Sequence, residues 1–220
     1  MMVKSINHIK SKVSMIDVLL IGLTGYMMKE ELKFDASKLS ISPMCEMAVK
    51  LGEGFHNNAK KIAGESVNQY TIGWGSTSAN HSNIGPNTTL PTSVLQKMLE
   101  QDLKVREMFI KTTLAGVKLT QGQFDALVSV KYNANGLLTS KSPSFNKFIR
   151  QGEYEKARQE LDFWEDARHI NHKGLAKRRM LEHCLWLGLP LPNKAEYDKY
   201  FGERALEFAR TKDTALLRIP

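Results

Sequence analysis

The sequence predicts an α+β fold that is mostly helical and two-lobed, with a small antiparallel β-sheet lobe, a long connecting helix and a helical lobe. Three observations predict it. Apolar residues recur at helical spacing over most of the chain after residue 43. Alternating, turn-rich sequence is confined to residues 55–76. A long amphipathic stretch then follows a polar loop, and it predicts the helix that connects the two lobes.

The first predicted helix begins at Ser42, which precedes a proline, and ends at Gly52. Glu53 therefore follows this helix in a turn. Residues 69–74 suit a strand of the small sheet, because β-branched and aromatic side chains favour pleated structure. The polar loop after that strand contains one glycine and two prolines, which favour turns.

The remaining helices are predicted from apolar spacing and from capping residues. Thr92 or Ser93 caps the connecting helix, which runs to about Lys111. Thr120 and Gln123 stand three residues apart, as in a capping box, and so mark the start of another helix. The other predicted helices cover residues 145–150, 154–164, 176–187 and 195–211.

Composition limits the class of protein. The chain has 220 residues, a hydrophobic fraction of 42% and a formal net charge of +8, which favours an anionic partner. Its basic residues are dispersed and no nucleic-acid-binding motif occurs, so no nucleic-acid partner is predicted. Neither Cys45 nor Cys184 stands in a spacing that suits zinc, and no metal or cofactor is predicted. The two cysteines are either buried thiols or one bridge.

The N-terminal end carries a short apolar run, residues 15–28, after a basic segment. With fourteen residues the run is shorter than the roughly 20 needed to span a membrane. It is interpreted as a helix buried against the main domain or a partner, with a weak secretory signal or releasable membrane anchor as the alternative. Residues 37–43 suit a linker. We therefore expect an N-terminal extension at 1–42, a main domain at 43–190 and an appended helix at 191–220.

Residues 51–75 combine acidic side chains with glycines, which is unusual for a segment that builds a core. Glu53 stands between two glycines, Glu65 follows it, and Thr71 begins the sequence TIGWG. Glycines allow sharp turns and close approach of another chain. Two acids and a threonine in such a setting predict a site that handles a polar polymer.

Four motifs in a fixed order extend this prediction to most of the chain. The motifs are EG at 53–54, TIGWG at 71–75, LTQGQFDALVS at 119–129 with YN at 132–133, and FW at 163–164 with GL at 174–175, RR at 178–179 and Glu182. Together they resemble the phage-type lysozymes, the endolysins of glycoside hydrolase family 24.

The resemblance implies a lysozyme-like fold and hydrolysis of the β-1,4 bond between N-acetylmuramic acid and N-acetylglucosamine in peptidoglycan. It implies that Glu53 is the general acid, which needs a desolvated pocket to keep its proton near neutral pH. Glu65 is the predicted second carboxylate, and the hydroxyl of Thr71 is predicted to hold the attacking water. The alternatives are an ordinary loop acid for Glu65 and a simple strand residue for Thr71.

The same resemblance yields four predicted substrate-binding residues, each with an alternative. Trp74 is either a sugar platform or part of the core or cleft wall. Gln123 and Asn133 either line the cleft or cap backbone groups. Arg178 either lies near the catalytic glutamate or belongs, with Arg179, to a solvated helix face.

Two positions depart from the family pattern. The family acid at the position of Glu65 is an aspartate on a shorter loop, so the longer side chain bears on catalysis itself. The family histidine after the TIGWG strand is replaced by Ser76, which bears on local packing.

Two other functions therefore stay open beside the muramidase: a lytic transglycosylase, and a catalytically weak virion structural or wall-binding protein. The expected location is the host periplasm or cell wall, for a phage-encoded protein made in the host cytoplasm or carried on the virion. Peptidoglycan is the expected partner. Other virion proteins, and a membrane contacted through residues 15–28, are further partners that the sequence leaves open.

Overall fold

A computed structural model describes residues 32–61, 69–134, 136–161 and 173–219. The chain divides into two compact units, Met1–Leu32 and Lys33–Pro220. The prediction for the apolar run at 15–28 lies outside the described residues, and so does Glu65. Within the described ranges, no helix is both long enough and apolar enough to cross a membrane.

The helices of the second unit confirm the mostly helical prediction. α1 starts where the Ser42 side chain accepts from the backbone N–H of Met44. The Thr120–Gln123 capping box is present at the start of α3, as the sequence predicts. The helices are α1 (Pro43–Glu53), α2 (Thr92–Thr113), α3 (Gln121–Asn133), α4 (Pro143–Arg150), α5 (Tyr154–Glu160), α6 (Lys173–Trp186), α7 (Lys194–Glu196) and α8 (Gly202–Thr211).

The strands form two small antiparallel sheets. β2 (His56–Lys61), β3 (Tyr70–Gly73) and β4 (Ser76–Thr77) make the sheet lobe that the sequence predicts. β1 (Phe34–Asp35) pairs with β5 (Lys118–Leu119), and the sequence analysis did not foresee this second sheet. Its strands have two residues each, too few for a period-two pattern to be recognised.

The long helix α2 joins the two lobes. Its first turns carry Leu95 and Met98, which pack with Ile72 of β3 in the small core of the sheet lobe. Its later turns carry Leu103 and Ile110, which belong to the large core of the helical lobe. A 22-residue helix is about 33 Å long, which suffices to reach both cores. The helix begins after Pro91 without a side-chain cap, so the predicted cap at Thr92 or Ser93 is wrong.

Both flanks of the predicted main domain take part in the large core. Ala36 and Leu39, which the sequence analysis assigned to the N-terminal extension, are buried in it. The C-terminal segment runs from α7 through a π-helical turn, Tyr197–Phe201, into α8, and contributes Phe201 and Phe208. The described parts of both flanks are therefore packed on the helical lobe. The domain boundaries at 42 and 190 stay predictions.

Candidate active site

Glu53 is the last residue of α1. The sequence predicted that this helix ends at Gly52, so the observed helix is one residue longer. Gly54 ends the helix with φ at 71°, a left-handed value that glycine adopts without steric cost. β2 then starts at His56, which pairs with Gly73. This short connection fixes the end of α1 against the turn that follows β3, so Glu53 stands where the two lobes meet.

Arg178 holds one oxygen of Glu53. Its Nη1 forms an ion pair with Oε1 of Glu53, and its Nη2 donates to the backbone oxygen of Ser129 at 3.0 Å. On its other side its Nε lies 3.3 Å from Oε1 of Glu182. Burial by itself would lower the pKa of Arg178, but the carboxylates of Glu53 and Glu182 outweigh it and raise the pKa. The guanidinium therefore stays charged.

Arg179 completes this group, which we call the Arg178 cluster: Glu53, Arg178, Arg179 and Glu182. Nη1 of Arg179 lies 2.7 Å from Oε2 of Glu182, and both side chains are fully buried. Arg178 is 3% exposed. The interpretation of Arg178 and Arg179 as a solvated helix face is therefore wrong. Two buried arginines are tolerated because two carboxylates balance their charges.

The second oxygen of Glu53 faces Gly75 and Tyr132. A Cβ at position 75 would lie 3.1 Å from Oε2 of Glu53 and 3.4 Å from the Tyr132 ring. Gly75 also has φ at 96°, so the turn requires glycine for its conformation as well as for the space. The Tyr132 hydroxyl donates to the backbone oxygen of Trp74 at 2.9 Å, which joins α3 to this turn. Burial raises the pKa of Tyr132, so the hydroxyl keeps its proton.

Gly75 and Tyr132 also line an open groove of about 460 Å³. We call it the Tyr132 groove. Thr77 lines its sheet side and Asn133 its helical side. Thr71 pairs directly with Thr77, and directly paired residues point to the same face of a sheet. The structure therefore places Thr71 on the groove face of the sheet, opposite to the buried Ile72.

Asn133 lies where it was predicted, whereas Gln123 does not. Asn133 is exposed at the end of α3, lines the Tyr132 groove and accepts from Nη2 of Arg179 at 2.8 Å. Gln123 is buried at the other end of α3, where its Oε1 accepts from the backbone N–H of Thr120 at 3.0 Å. Its side chain is used in the capping box, so the prediction that it binds substrate is corrected to a structural role.

Trp74 lies in the turn after β3 but lines a different groove, of about 420 Å³, along α1. Its ring packs 4.6 Å from the ring of Phe55, and the Lys50 ammonium lies 4.7 Å from its centre. It also contacts both hydrophobic cores. Trp74 is therefore separated from the Tyr132 groove, and the structure supports a packing role more than that of a sugar platform beside Glu53.

Glu65 belongs to the segment that connects β2 to β3 and lies outside the described residues, so its role stays a prediction. The sequence analysis named Gly75 and Tyr132 only as parts of motifs and gave neither a role in the site. The signal for Gly75 was its place at the end of the TIGWG motif. The signal for Tyr132 was its position next to Asn133.

A second buried group, the Asp102 cluster, fixes the sheet lobe to α2. It consists of Asp102, Ser76, His81 and Arg106. The Ser76 hydroxyl donates to Oδ2 of Asp102 at 2.7 Å, and Nε2 of His81 lies 3.0 Å from the same oxygen. Nη1 of Arg106 lies 3.3 Å from Oδ1. His81 thus contacts the same carboxylate as Ser76, the residue that stands where the family has its histidine.

The two cysteines are buried free thiols, which answers the alternative left open by the sequence. Burial raises the pKa of Cys184 to about 12, so this thiol is unreactive. In the part of the chain that the structure describes, no group of three or more His, Cys, Asp or Glu side chains is arranged to hold a metal ion.

Solved structures that resemble this chain include a muramidase domain and an endolysin. The muramidase domain of SpmX from Asticaccaulis excentricus superposes with a TM-score of 0.58 at 23% identity, over 68% of this chain and 99% of that one. An endolysin from Escherichia coli O157:H7 phage FAHEc1 has a TM-score of 0.55 at 23% identity, over 73% of this chain and all of the other (100%). These similarities confirm the predicted fold class.

The sequence itself gives the family. Residues 50–182 match the model of the phage lysozyme family, and the chain belongs to that family. The endolysin of Bacillus phage B103 is 33% identical over 141 residues, which are 63% of this chain. The chain spans about half (51%) of the length of that relative. The range matched by the family model contains the positions of Glu53, Thr71 and Arg178.

Proposed function

We propose that the protein is a lysozyme that hydrolyses the β-1,4 bond between N-acetylmuramic acid and N-acetylglucosamine in bacterial peptidoglycan. The observation that carries the proposal is a partly exposed glutamate, Glu53, held by a buried arginine next to Gly75 and Tyr132, which line an open groove. It occurs in a chain of the phage lysozyme family, at the position that the motifs predict. A glycosidase needs a carboxylic acid at such a place, and it needs no cofactor.

The arrangement assigns different roles to the two oxygens of Glu53. Oε1 accepts from the charged guanidinium of Arg178, which disfavours a proton on that oxygen. Oε2 lies on the side of Gly75 and Tyr132, next to the Tyr132 groove. We therefore place the transferable proton on Oε2. From there it is donated to the glycosidic oxygen as the bond breaks.

Hydrolysis also needs a second carboxylate and a water molecule. Glu65 is our candidate for the carboxylate, since it lies in the connection between two strands of the sheet lobe. Thr71 is our candidate to hold the water, and its position on the groove face of the sheet supports this role. Arg178 orients Glu53 rather than contacting substrate, because only 3% of it is exposed.

The test is digestion of purified peptidoglycan by the wild type and by Glu53→Gln, with release of reducing ends as the readout. We expect the variant to lose about 1,000-fold in rate, the contribution of a general acid. Glu46→Gln is the matched control: it lies two turns earlier on α1, pairs with Lys50 and lines the other groove. It should keep the wild-type rate. A wild type that releases no reducing ends would contradict the proposal.

The products distinguish hydrolysis from the transglycosylase alternative. Hydrolysis adds one water to each broken bond, whereas a lytic transglycosylase leaves 1,6-anhydro ends and needs no second carboxylate. Mass spectrometry of the products of wild type and Glu65→Gln therefore tests the role of Glu65. We expect hydrated products and a large loss of rate in Glu65→Gln. Anhydro ends together with an undiminished rate in Glu65→Gln would contradict both the hydrolytic reaction and the role of Glu65.

We further propose that the protein is encoded by a phage and acts on the host cell wall from the periplasmic side. A net charge of +8 favours its accumulation on anionic wall and membrane surfaces. One experiment distinguishes three possibilities for how the protein reaches the wall. These are delivery at lysis, delivery on a virion with other virion proteins, and membrane contact through residues 15–28. Cell fractionation would show whether residues 1–42 remain on the mature protein, and in which compartment it lies.

A further inference from the structure

Two cationic side chains, Arg106 of α2 and Lys131 of α3, line the Tyr132 groove. None of the described residues along this groove carries a carboxylate. Burial, and after it the charge of Arg106, lowers the pKa of the Lys131 ammonium. The two cations thus lie close enough to repel each other. An anion that binds beside both of them would lower this electrostatic cost.

Both cations are held in place by the protein, and Arg106 has donors for a ligand. The guanidinium carbon of Arg106 lies 5.4 Å from the centre of the Tyr132 ring. Both hydrogen bonds of Arg106 to Asp102 use Nη1, and a guanidinium has further donors on Nη2 and Nε. The Lys131 ammonium lies 3.9 Å from the centre of the Phe109 ring and donates to the backbone oxygen of Leu137 at 3.2 Å.

The position of this pair relative to Glu53 indicates which part of a substrate it meets. Tyr132 contacts Arg106 on one side and, through Gly75, borders Glu53 on the other. An anion beside Arg106 and Lys131 is therefore about one aromatic side chain away from the bond that Glu53 protonates. In peptidoglycan the sugar rings next to that bond are neutral, and the nearby negative charges are carboxylates of the peptide attached to N-acetylmuramic acid.

We propose that Arg106 and Lys131 form a subsite for a carboxylate of this peptide and make the protein prefer free over amidated peptide carboxylates. The inference rests on the proposed peptidoglycan substrate. Guanidinium and ammonium groups bind a carboxylate by charge-assisted hydrogen bonds, which are stronger than bonds to a neutral amide. Amidation removes the charge but keeps the size of the group, so the preference reports on charge alone.

The test measures binding, so that it does not depend on catalysis. The 220-residue chain carrying Glu53→Gln is titrated with two tetrasaccharide muropeptides, one with free peptide carboxylates and one with the same carboxylates amidated. We expect the free form to bind about fivefold more tightly, the size expected of one partly exposed ion pair. Lys131→Met and Arg106→Met should each bring the ratio of the two Kd values close to one.

Lys147→Met is the matched control, because Lys147 is an exposed lysine on α4 that lines neither groove. It should keep the wild-type ratio. If Lys131→Met does not fold, Arg106→Met tests the same subsite from the other helix. The subsite would be overturned if the chain carrying only Glu53→Gln bound the two muropeptides with equal Kd values. It would also be overturned if the preference for the free form persisted in both Lys131→Met and Arg106→Met. Failure of the wild type to cleave peptidoglycan would overturn only the proposed function.

Discussion

The Arg178 cluster and the Asp102 cluster each pair a carboxylate with an arginine, but they leave that carboxylate in different states. Both oxygens of Asp102 are occupied: Oδ2 by Ser76 and His81, and Oδ1 by Arg106. Glu53 has one oxygen on Arg178, and among the described residues no donor contacts the other. Asp102 is 4% exposed, whereas 24% of the Glu53 side chain is exposed.

This difference separates a structural carboxylate from a reactive one. A carboxylate whose lone pairs are all used by the protein stabilises the fold, because neither oxygen can exchange a proton with a ligand. A carboxylate held by one oxygen is oriented and keeps the other for chemistry. The two clusters therefore predict different results when each is broken: loss of activity in the first, loss of stability in the second.

Replacing Arg178 by methionine should have the largest effect, because it breaks the Arg178 cluster at its centre. Glu53 loses the donor that orients it, and Glu182 loses one of the two buried arginines that pair with it. We expect about 3 kcal/mol less unfolding free energy and a kcat about 100-fold lower. Denaturant titration and initial rates on peptidoglycan measure the two effects.

The control for this change is Arg158→Met, since Arg158 is also a buried arginine of the helical lobe and pairs with Glu155. We expect it to lower stability and to leave kcat within about threefold of wild type, because its pair is remote from Glu53. A normal kcat in Arg178→Met would mean that this arginine serves only the fold.

Replacing Asp102 by asparagine should break the other cluster and give the opposite pattern. The amide nitrogen cannot accept from Ser76 or contact His81 as the carboxylate does. We expect about 2 kcal/mol less unfolding free energy and a kcat within about threefold of wild type, measured well below the unfolding temperature. A loss of kcat of about 100-fold in the folded variant would show that the Asp102 cluster is not merely structural.

Replacing Gly75 by alanine tests whether the free oxygen of Glu53 needs its space. The new Cβ would lie 3.1 Å from Oε2, and φ at 96° is strained for alanine. We expect about a tenfold lower kcat and about 1 kcal/mol less stability. Gly152→Ala is the control. Its φ of 73° gives similar strain, but the nearest atom to its new Cβ belongs to the Tyr154 side chain and lies 3.8 Å away. It should lose stability alone, and an equal kcat for both variants would contradict the proposed geometry.

The smallest effect concerns a partly exposed carboxylate, Asp35, which provides a scale for the two buried clusters. Hydrogen bonds from the Ser37 hydroxyl, from the backbone N–H of Ser37 and from that of Gly116 lower its pKa to about 2. A folded pKa below the unfolded value of 3.8 means that its stabilisation is present above that value and is lost as the pH falls towards 2.

The unfolding temperature of Asp35→Asn, measured against that of the wild type from about pH 5 downwards, tests this sign. We expect a difference of a few degrees at the upper end of this range, which closes as the pH falls. A gap that stays constant, or widens towards acid, would show that the charge of Asp35 contributes nothing.

The sequence was sufficient for the features that depend on local pattern. Helical spacing and the Thr120 capping box predicted α1 and α3 within a few residues. Helical spacing predicted Glu53 in a turn just after a helix, one residue from where α1 ends, and the family resemblance offered Arg178 as its neighbour. These features follow from short-range periodicity or from the order of motifs, both of which can be read along the chain.

Features that depend on long-range packing could not be derived in this way. An arginine pair on a helix suggests a solvated face, and only the approach of Glu53, 125 residues away, makes it a buried cluster. Gln123 fits a cap and a cleft equally well in sequence, and the fold decides which backbone group it meets. The contact of His81 with Asp102 depends on how the turns after β4 fold back on α2.

One measurement tests the comparison of the two clusters most directly: reducing ends released from purified peptidoglycan by Glu53→Gln and Asp102→Asn, assayed beside the wild type at a temperature where all three are folded. The two substitutions make the same chemical change, a carboxylate to an amide, in the two clusters. We predict about 1,000-fold lower release for Glu53→Gln and near wild-type release for Asp102→Asn. Equal losses in the two variants, or the larger loss in Asp102→Asn, would contradict the claim that Glu53 is the reactive carboxylate and Asp102 the structural one.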